Sequence, residues 1–518
     1  MRWLWFVALV WACGDDSGPT RDAAPDGGDC IEGAVQCRGR DVYVCSAGTF
    51  SFQESCGDTR VCALDLGCRD CQPGRPFCMG NDVFICDADG MSSSFELSCE
   101  GTATCMDGGC RDECADAATR GGENGCGFIG LGTGTFLNLV NRRDRDVDVV
   151  FSDGTSEMLE PLRSIRVRAP TEPFRIVTNV PINVIAEVDN DAALWLPTHL
   201  HEGRYRVLTW PGAAGSVTVM SDIATQIRIT PSVDAMVGGT ATAAGATTSV
   251  DVDQLVPIAI TSDGDLTGTL IEADVGFAVF VDPNGRVPLD ASAPAHPDGA
   301  PGAWSAARMH EQLLPVDLWG STFWVALAPS RVDHPTYREP EVVRVVADGA
   351  ANITTSLPAP DDSFSLNAGE YRDLIVQEDF VIESSAPIGV AQFFVSPEWL
   401  VTPLDGRAGA VAMGLVPALE HQRRFFYFTA LGTADRSIVA RVPADAPLRF
   451  DGVDLDGLEE CSRGPARMIG DASWQLVTCV DVPVGSHLLD SETADIVASV
   501  FGHDAARSYA LPVGGEYR

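Results

Sequence analysis

The chain has 518 residues, enough for several domains, with 73 acidic against 35 basic residues and a formal net charge of −38. Every basic residue is arginine, and the absence of lysine excludes a P-loop, a Schiff-base lysine and lysine–asparagine cross-links. So acidic a surface repels polyanions, and no nucleic-acid partner is expected.

Residues 1–13 read as an export signal. Arg2 precedes an apolar run over residues 3–11 that is too short to span a bilayer, and Val10-Trp11-Ala12-Cys13 resembles a bacterial lipobox. Cys13 is therefore the expected lipidation site, anchoring the chain to a membrane; a secreted, unlipidated form is the alternative. Removing Cys13 from the 17 cysteines leaves an even number, so the rest can pair. Residues 14–29, rich in Gly, Asp, Ala and Pro, have almost nothing to bury and read as a flexible acidic linker.

Two copies of one cysteine pattern follow. The first, in residues 30–70, comprises Cys30, Cys37, Cys45, Cys56, Cys62 and Cys68, with intervals of 6, 7, 10, 5 and 5 residues. The second, in residues 71–113, comprises Cys71, Cys78, Cys86, Cys99, Cys105 and Cys110, with intervals of 6, 7, 12, 5 and 4. The filling repeats too: Asp41-Val42-Tyr43-Val44-Cys45 matches Asp82-Val83-Phe84-Ile85-Cys86. A unit this short cannot bury a self-sufficient core and needs staples. Zinc would call for histidine among its usual ligands, and none occurs before His199, so three disulfides per module are expected, in an oxidising compartment. The spacings predict one shared connectivity without choosing among the fifteen possible for six cysteines. Cys114 and Cys126 flank a short loop, and Cys461 and Cys479 remain for a last disulfide.

From residue 114 to 518 short alternating apolar runs are broken by Gly, Pro, Asn and Asp, the pattern of an all-β region. The best helical window, residues 304–314, is short. A diverged repeat of strand, polar turn and strand recurs at residues 176–184, 270–279, 381–390 and 488–497. Aromatic strands recur at 205–208, 323–326 and 425–428, and hairpins are expected at 147–155, 217–230, 342–355 and 438–451. About four tandem β-sandwich-like units follow from this count; one large β-propeller is the alternative.

Catalytic and metal motifs fail on their spacing. Asp144, Asp146 and Asp148 begin like an EF-hand loop, but Val149 and Thr155 replace its glycine and closing glutamate. His201-Glu202 and His310-Glu311 begin like a zinc-peptidase helix, but Tyr205 and Leu314 stand where the second histidine belongs. His199 and His201 would share one face of a strand but lack a third ligand, so they read as exposed turn residues. No nucleophile elbow occurs, and the stretch 238–248 reads as a long hairpin tip. No catalytic, cofactor or metal residue is assigned.

The residues from about Gly125 onward resemble the N-terminal domain family of the IgGFc-binding protein. The resemblance rests on Gly125-Cys126-Gly127-Phe128, Leu196-Pro197 with Gly203-Arg204-Tyr205, and Asp265-Leu266-Thr267-Gly268-Thr269. It continues through Glu311-Gln312-Leu313-Leu314-Pro315, Trp319-Gly320, Ala386-Pro387-Ile388-Gly389-Val390-Ala391-Gln392-Phe393 and Gly485-Ser486-His487. Two departures stand out: Ala306, Ala307 and Arg308 replace a Cys-Asp-His run, and Gly409-Ala410-Val411 replaces a Gly-Asp-Pro segment. The resemblance and the modules together imply a non-catalytic, lipid-anchored surface protein that binds or adheres to a protein or glycan. A structural envelope component is the second reading, and a hydrolase with an unrecognised site the third.

Overall fold

The computed structural model describes residues 30–517, apart from 58–59, 80, 100–102, 107, 133–134, 212–215, 288, 290–292, 300–305, 404–406 and 514; Cys13 and the linker lie outside the described residues. The chain divides into two compact units at Arg111/Asp112.

Each N-terminal module is a three-stranded antiparallel sheet followed by a small hairpin. Val35–Arg38, Asp41–Ser46 and Thr49–Ser55 form the first sheet, with Val61–Ala63 and Gly67–Arg69 as its hairpin. Pro76–Met79, Asp82–Cys86 and Ser93–Ser98 repeat the sheet, and Thr104–Met106 with Gly109–Arg111 the hairpin. A bulge falls at the same place in both, before Tyr43 and before Phe84. Cys30–Cys45, Cys37–Cys62 and Cys56–Cys68 join first to third, second to fifth and fourth to sixth cysteine. Cys71–Cys86, Cys78–Cys105 and Cys99–Cys110 do the same. The apolar core of the first module is little more than Val42, Val35 and Val44 around sulfur.

The second unit opens with the one α-helix among the described residues, Glu113–Arg120. Asp112 caps it by accepting the Ala115 N–H, and Gly121, at φ 65°, ends it in the left-handed region. Four sandwiches with one strand topology follow. Sandwich I comprises Gly125–Gly130, Phe136–Val140, Val147–Phe151, Ser156–Leu159, Ser164–Arg168, Phe174–Val188 and Asp191–Trp195. Its sixth strand belongs to both sheets: the first half pairs with strands one and three, the second with strands two and seven. Sandwich III, Gly320–Val325 to Met413–Leu415, repeats this with the fifteen-residue strand Phe380–Phe394. In sandwiches II and IV the same strand is broken in two, as Leu270–Ala273 with Ala278–Val281 and Gly485–Asp490 with Val497–His503.

The sequence repeat of strand, turn and strand is therefore this crossing strand. In I and III there is no turn. Along Phe174–Val188 burial alternates as far as Asn179 and is then continuous to Ala186, because the second half is covered on both faces. Pro181 and Pro387 sit where the strand changes sheets and the ladder register shifts, a place that tolerates a missing N–H. Three of the four expected hairpins are corrected: Ser216–Met220 and Thr225–Thr230, Glu341–Ala347 and Ala351–Thr355, and Asp435–Pro443 and Arg449–Phe450 are not paired with each other. Each is a corner from one sheet to the other; only Val147–Phe151 enters a true hairpin. The weak helical window at 304–314 is extended where described, pairing as Ala307–Arg308 and Glu311–Gln312.

The four sandwiches close a ring. Their last strands, Asp191–Trp195, Glu311–Gln312, Met413–Leu415 and Ser508–Val513, pack each on the next and the fourth on the first. Neighbouring sandwiches share apolar cores: Trp195 meets Phe280, Trp210 meets Phe393, Phe394 meets Phe501, and Leu194 packs among residues of sandwich IV. Double-sheeted units replace the single-sheet blades a propeller would need. Three junctions are the 3-10 turns Thr198–Leu200, Val316–Leu318 and Leu419–His421, following Leu196-Pro197, Leu314-Pro315 and Val416-Pro417. The fourth is not covalent. Residues 121–123 pair with residues 515–517 through Glu123 N to Gly515 O and Tyr517 N to Gly121 O, and Cys114–Cys126 staples the helix to strand one beside this closure.

Candidate functional sites: a sealed polar centre and two open clefts

The centre of the ring holds the most perturbed ionisable groups. Asp191, at the start of sandwich I's last strand, is buried. Its Oδ2 accepts the N–H of His310 (3.1 Å) from sandwich II and of Met413 (3.2 Å) from sandwich III, and Oδ1 that of Ala192 (2.8 Å). Burial raises its pKa well above the usual carboxylate range despite these donors. Glu311 is buried nearby, and burial and then the Asp191 charge raise it likewise. Gln312 accepts the Leu196 N–H (2.8 Å) and donates to His201 Nε2 (3.1 Å). One carboxylate and one amide thus tie three sandwiches together, and both are buried.

The histidines differ from the sequence expectation. His199 and His201 lie at the 3-10 junction turn, turn residues as expected, but they are not exposed. His199 Nε2 donates to Gly122 O (3.1 Å), within the ring closure. Burial lowers the pKa of His201, His310 and His421 to about 4, so they are neutral packing groups at neutral pH. Proline and its neighbours force the turn, and the next sandwich covers it; a reading of single strands could not see that. Among the described residues no group of three His, Cys, Asp or Glu side chains is placed to hold a metal ion.

Arginine supplies the seams between sandwiches. Fully buried Arg344 binds Asp373 (2.7 Å) within sandwich III and Asp265 (2.6 Å) in sandwich II, 4.5 Å from the Trp210 ring centroid. Arg206 reaches Asp348 at 3.0 Å across the same seam. Such planar, multidentate contacts suit guanidinium rather than ammonium groups, which fits a lysine-free chain.

Two open clefts are walled by additions to the repeat; a third, of about 340 Å³ and lined by Ser330, Arg407, Asp435 and His503 among others, lies outside them. Sandwich II extends its second sheet beyond strand five (Ile258–Thr261) with the hairpin Ala235–Val237 and Thr240–Thr242. Sandwich IV extends the equivalent edge, Ala472–Cys479, with Cys461–Arg463 and Arg467–Ile469. I and III have no such extension. Each addition walls a cleft. The first, of about 810 Å³, is lined by Asp234, Met236, Thr242 and Asp263 among others. The second, of about 550 Å³, lies between the added strands of IV and Trp324, Glu378 and Asp379 of III. The sequence carried two signals of these additions: the hairpin tip read at 238–248, whose start is the turn of the added hairpin, and the isolated pair Cys461 and Cys479, which the structure joins across opposed strand positions.

The family model described as IgGFc binding protein matches residues 191–502. The match starts at the last strand of sandwich I, later than the Gly125 start expected from the motifs, so the shared strand topology reaches one sandwich further than the matched sequence. No curated protein and no solved structure matches the chain significantly. The signature motifs carrying the family likeness are largely the junctions: Leu196-Pro197, Leu314-Pro315 with Trp319-Gly320, and the crossing strand at Pro387.

Proposed function

The chain belongs to the IgGFc-binding protein family, and from that premise we propose that it is an extracellular, lipid-anchored and non-catalytic binding protein, whose ring is a rigid frame presenting the clefts walled by the additions to sandwiches II and IV. One observation carries the reading. Asp191 and Glu311, the carboxylates raised most by burial, are consumed in holding sandwiches together at the buried centre, while the two clefts of about 810 and 550 Å³ occur where the repeat is interrupted. In repeat architectures, insertions into an otherwise constant frame are where binding faces are built. The ligand implied by the family's name is not carried over, since kinship of fold does not carry a ligand.

Anchoring and binding are tested separately. Cys13→Ser is expected to move the protein from the membrane fraction to the soluble extracellular fraction; unchanged fractionation removes the lipid anchor. The purified chain, immobilised, is expected to retain components of intact cells or extracellular matrix. Replacing residues 238–242 or 462–467 with short Gly-Ser turns should reduce retention without lowering the melting temperature by more than a few degrees. Retention that ignores both replacements refutes the cleft reading. Self-assembly of the purified chain into filaments or sheets would favour the structural envelope role.

A further inference from the structure

We propose that the cleft between sandwiches III and IV binds a neutral oligosaccharide, a ligand class that rests on the binding role proposed above. The cleft opposes two carboxylates of sandwich III, Glu378 and Asp379, to two guanidinium groups of the added strands, Arg463 and Arg467. The four formal charges of these lining residues cancel, and Arg463 is moreover paired with Asp456, so the concavity has no excess positive charge with which to select an anion. It offers instead both donors and acceptors around about 550 Å³, within the range of small-ligand sites. Ser462 and Thr478 add hydroxyl groups to the same wall. Vicinal hydroxyls of a sugar ring both donate and accept, and such a wall can satisfy both roles.

Two further observations point to a missing ligand atom. The indole Nε1–H of Trp324, a cleft-lining residue that is 3 % exposed, meets no acceptor among the described residues. The same holds for Nη1 of Arg463, whose Nε and Nη2 are fixed by Asp456 (2.6 Å) and Ala446 O (2.9 Å). Buried donors are normally satisfied, so both are free to take an oxygen when their side chains turn toward the cleft. The site is also pre-organised. Cys461–Cys479 clamps the strand that delivers Ser462 and Arg463, and Arg467 is held 5.8 Å from the Trp324 ring centroid while donating to Ser356 Oγ (3.0 Å).

The test titrates the whole extracellular chain with maltotetraose, cellotetraose and chitotetraose, with hyaluronan tetrasaccharide as the acidic control, by calorimetry and tryptophan fluorescence. Saturable binding of at least one neutral tetrasaccharide is expected, weakened about tenfold or more by Glu378→Ala or Arg467→Ala, the size of one lost charged hydrogen bond. Both positions are exposed, so the melting temperature should stay unchanged. Trp324→Phe, which removes only the N–H and some ring area, should weaken binding similarly. No binding of any neutral sugar overturns the proposal and means that water alone fills the cleft. Binding insensitive to all three variants, or preference for the acidic sugar or a peptide, overturns the ligand class. The wider binding role fails separately, if no surface component is retained at all.

Discussion

The two compact units solve one problem at different scales. In residues 30–111 the apolar core is a handful of valines around cysteine, and six of the eight disulfides among the described residues lie there. In residues 112–518 four sandwiches share continuous apolar seams, and only Cys114–Cys126 and Cys461–Cys479 are covalent. Burial per residue rises with size, so the ring can afford a polar centre where the modules cannot afford to lose a bond. Even within the ring the staples sit where the repeat itself gives no continuity, at the non-covalent closure and on the added edge of sandwich IV.

The largest effect should come from reduction. Under dithiothreitol at neutral pH the modules are expected to lose their structure entirely, since losing even one disulfide from a small extracellular domain costs about 2–5 kcal/mol. The ring should keep a cooperative melting transition. Hydrogen exchange by mass spectrometry reads both at once: rapid exchange throughout 30–111 with protection retained on Phe174–Val188 and Phe380–Phe394 supports the contrast. Simultaneous loss of both would erase it.

The second test strikes the ring where no staple exists. Asp191→Ala strands the buried N–H groups of His310 and Met413 and should cost about 2–6 kcal/mol, at 1–3 per orphaned group. Asp191→Asn keeps an acceptor and should cost much less. The pH dependence has a definite sign. An acid whose folded pKa is raised holds its proton longer when folded than when unfolded. Stability is therefore highest below the unfolded carboxylate value near 4 and declines as pH rises toward the folded pKa. Asp191→Asn should flatten that decline in a melting series from pH 4 upward. A steeper decline in the variant would mean that the carboxylate is already charged in the folded ring.

The third test asks whether the closure behaves like a module. Cys114→Ser with Cys126→Ser opens a twelve-residue separation, worth at most about 3 kcal/mol of chain entropy. Exchange should rise first at residues 121–123 and 515–517, not across the seams. A uniform rise would show that the closure and the ring are one cooperative element.

How far all this was legible follows from the same contrast. The modules announce themselves because cysteine spacing is a local, discrete code. The fourfold repeat was legible through the crossing strand, whose alternation followed by continuous burial leaves a mark in sequence. The corners were misread as hairpins because two strands and a polar turn look alike whether they pair or part. The helix Glu113–Arg120 went unseen, being only eight residues long with two buried positions. Asp191 was invisible: one aspartate in so acidic a chain signals nothing until three sandwiches are seen to meet on it.

The smallest effect sharpens what the modules do without covalent help. Tyr43 and Phe52 in the first, and Phe84 and Phe95 in the second, meet edge-on at 5.8 Å across equivalent strand pairs, beside the matching bulges. Phe52 and Phe95 are each 57 % exposed, so burial alone contributes little there. Edge-to-face pairs add about 0.5–1.5 kcal/mol beyond area, and cross-strand pairs about as much relative to alanine. Phe52→Ala or Phe95→Ala should therefore raise exchange in its own module by about fivefold, roughly 1 kcal/mol, leaving the disulfides formed and the other module untouched. If either substitution instead prevents correct disulfide pairing, the aromatic pair directs folding as well as stabilising its product. The modules would then depend on a non-covalent core after all, as the ring does.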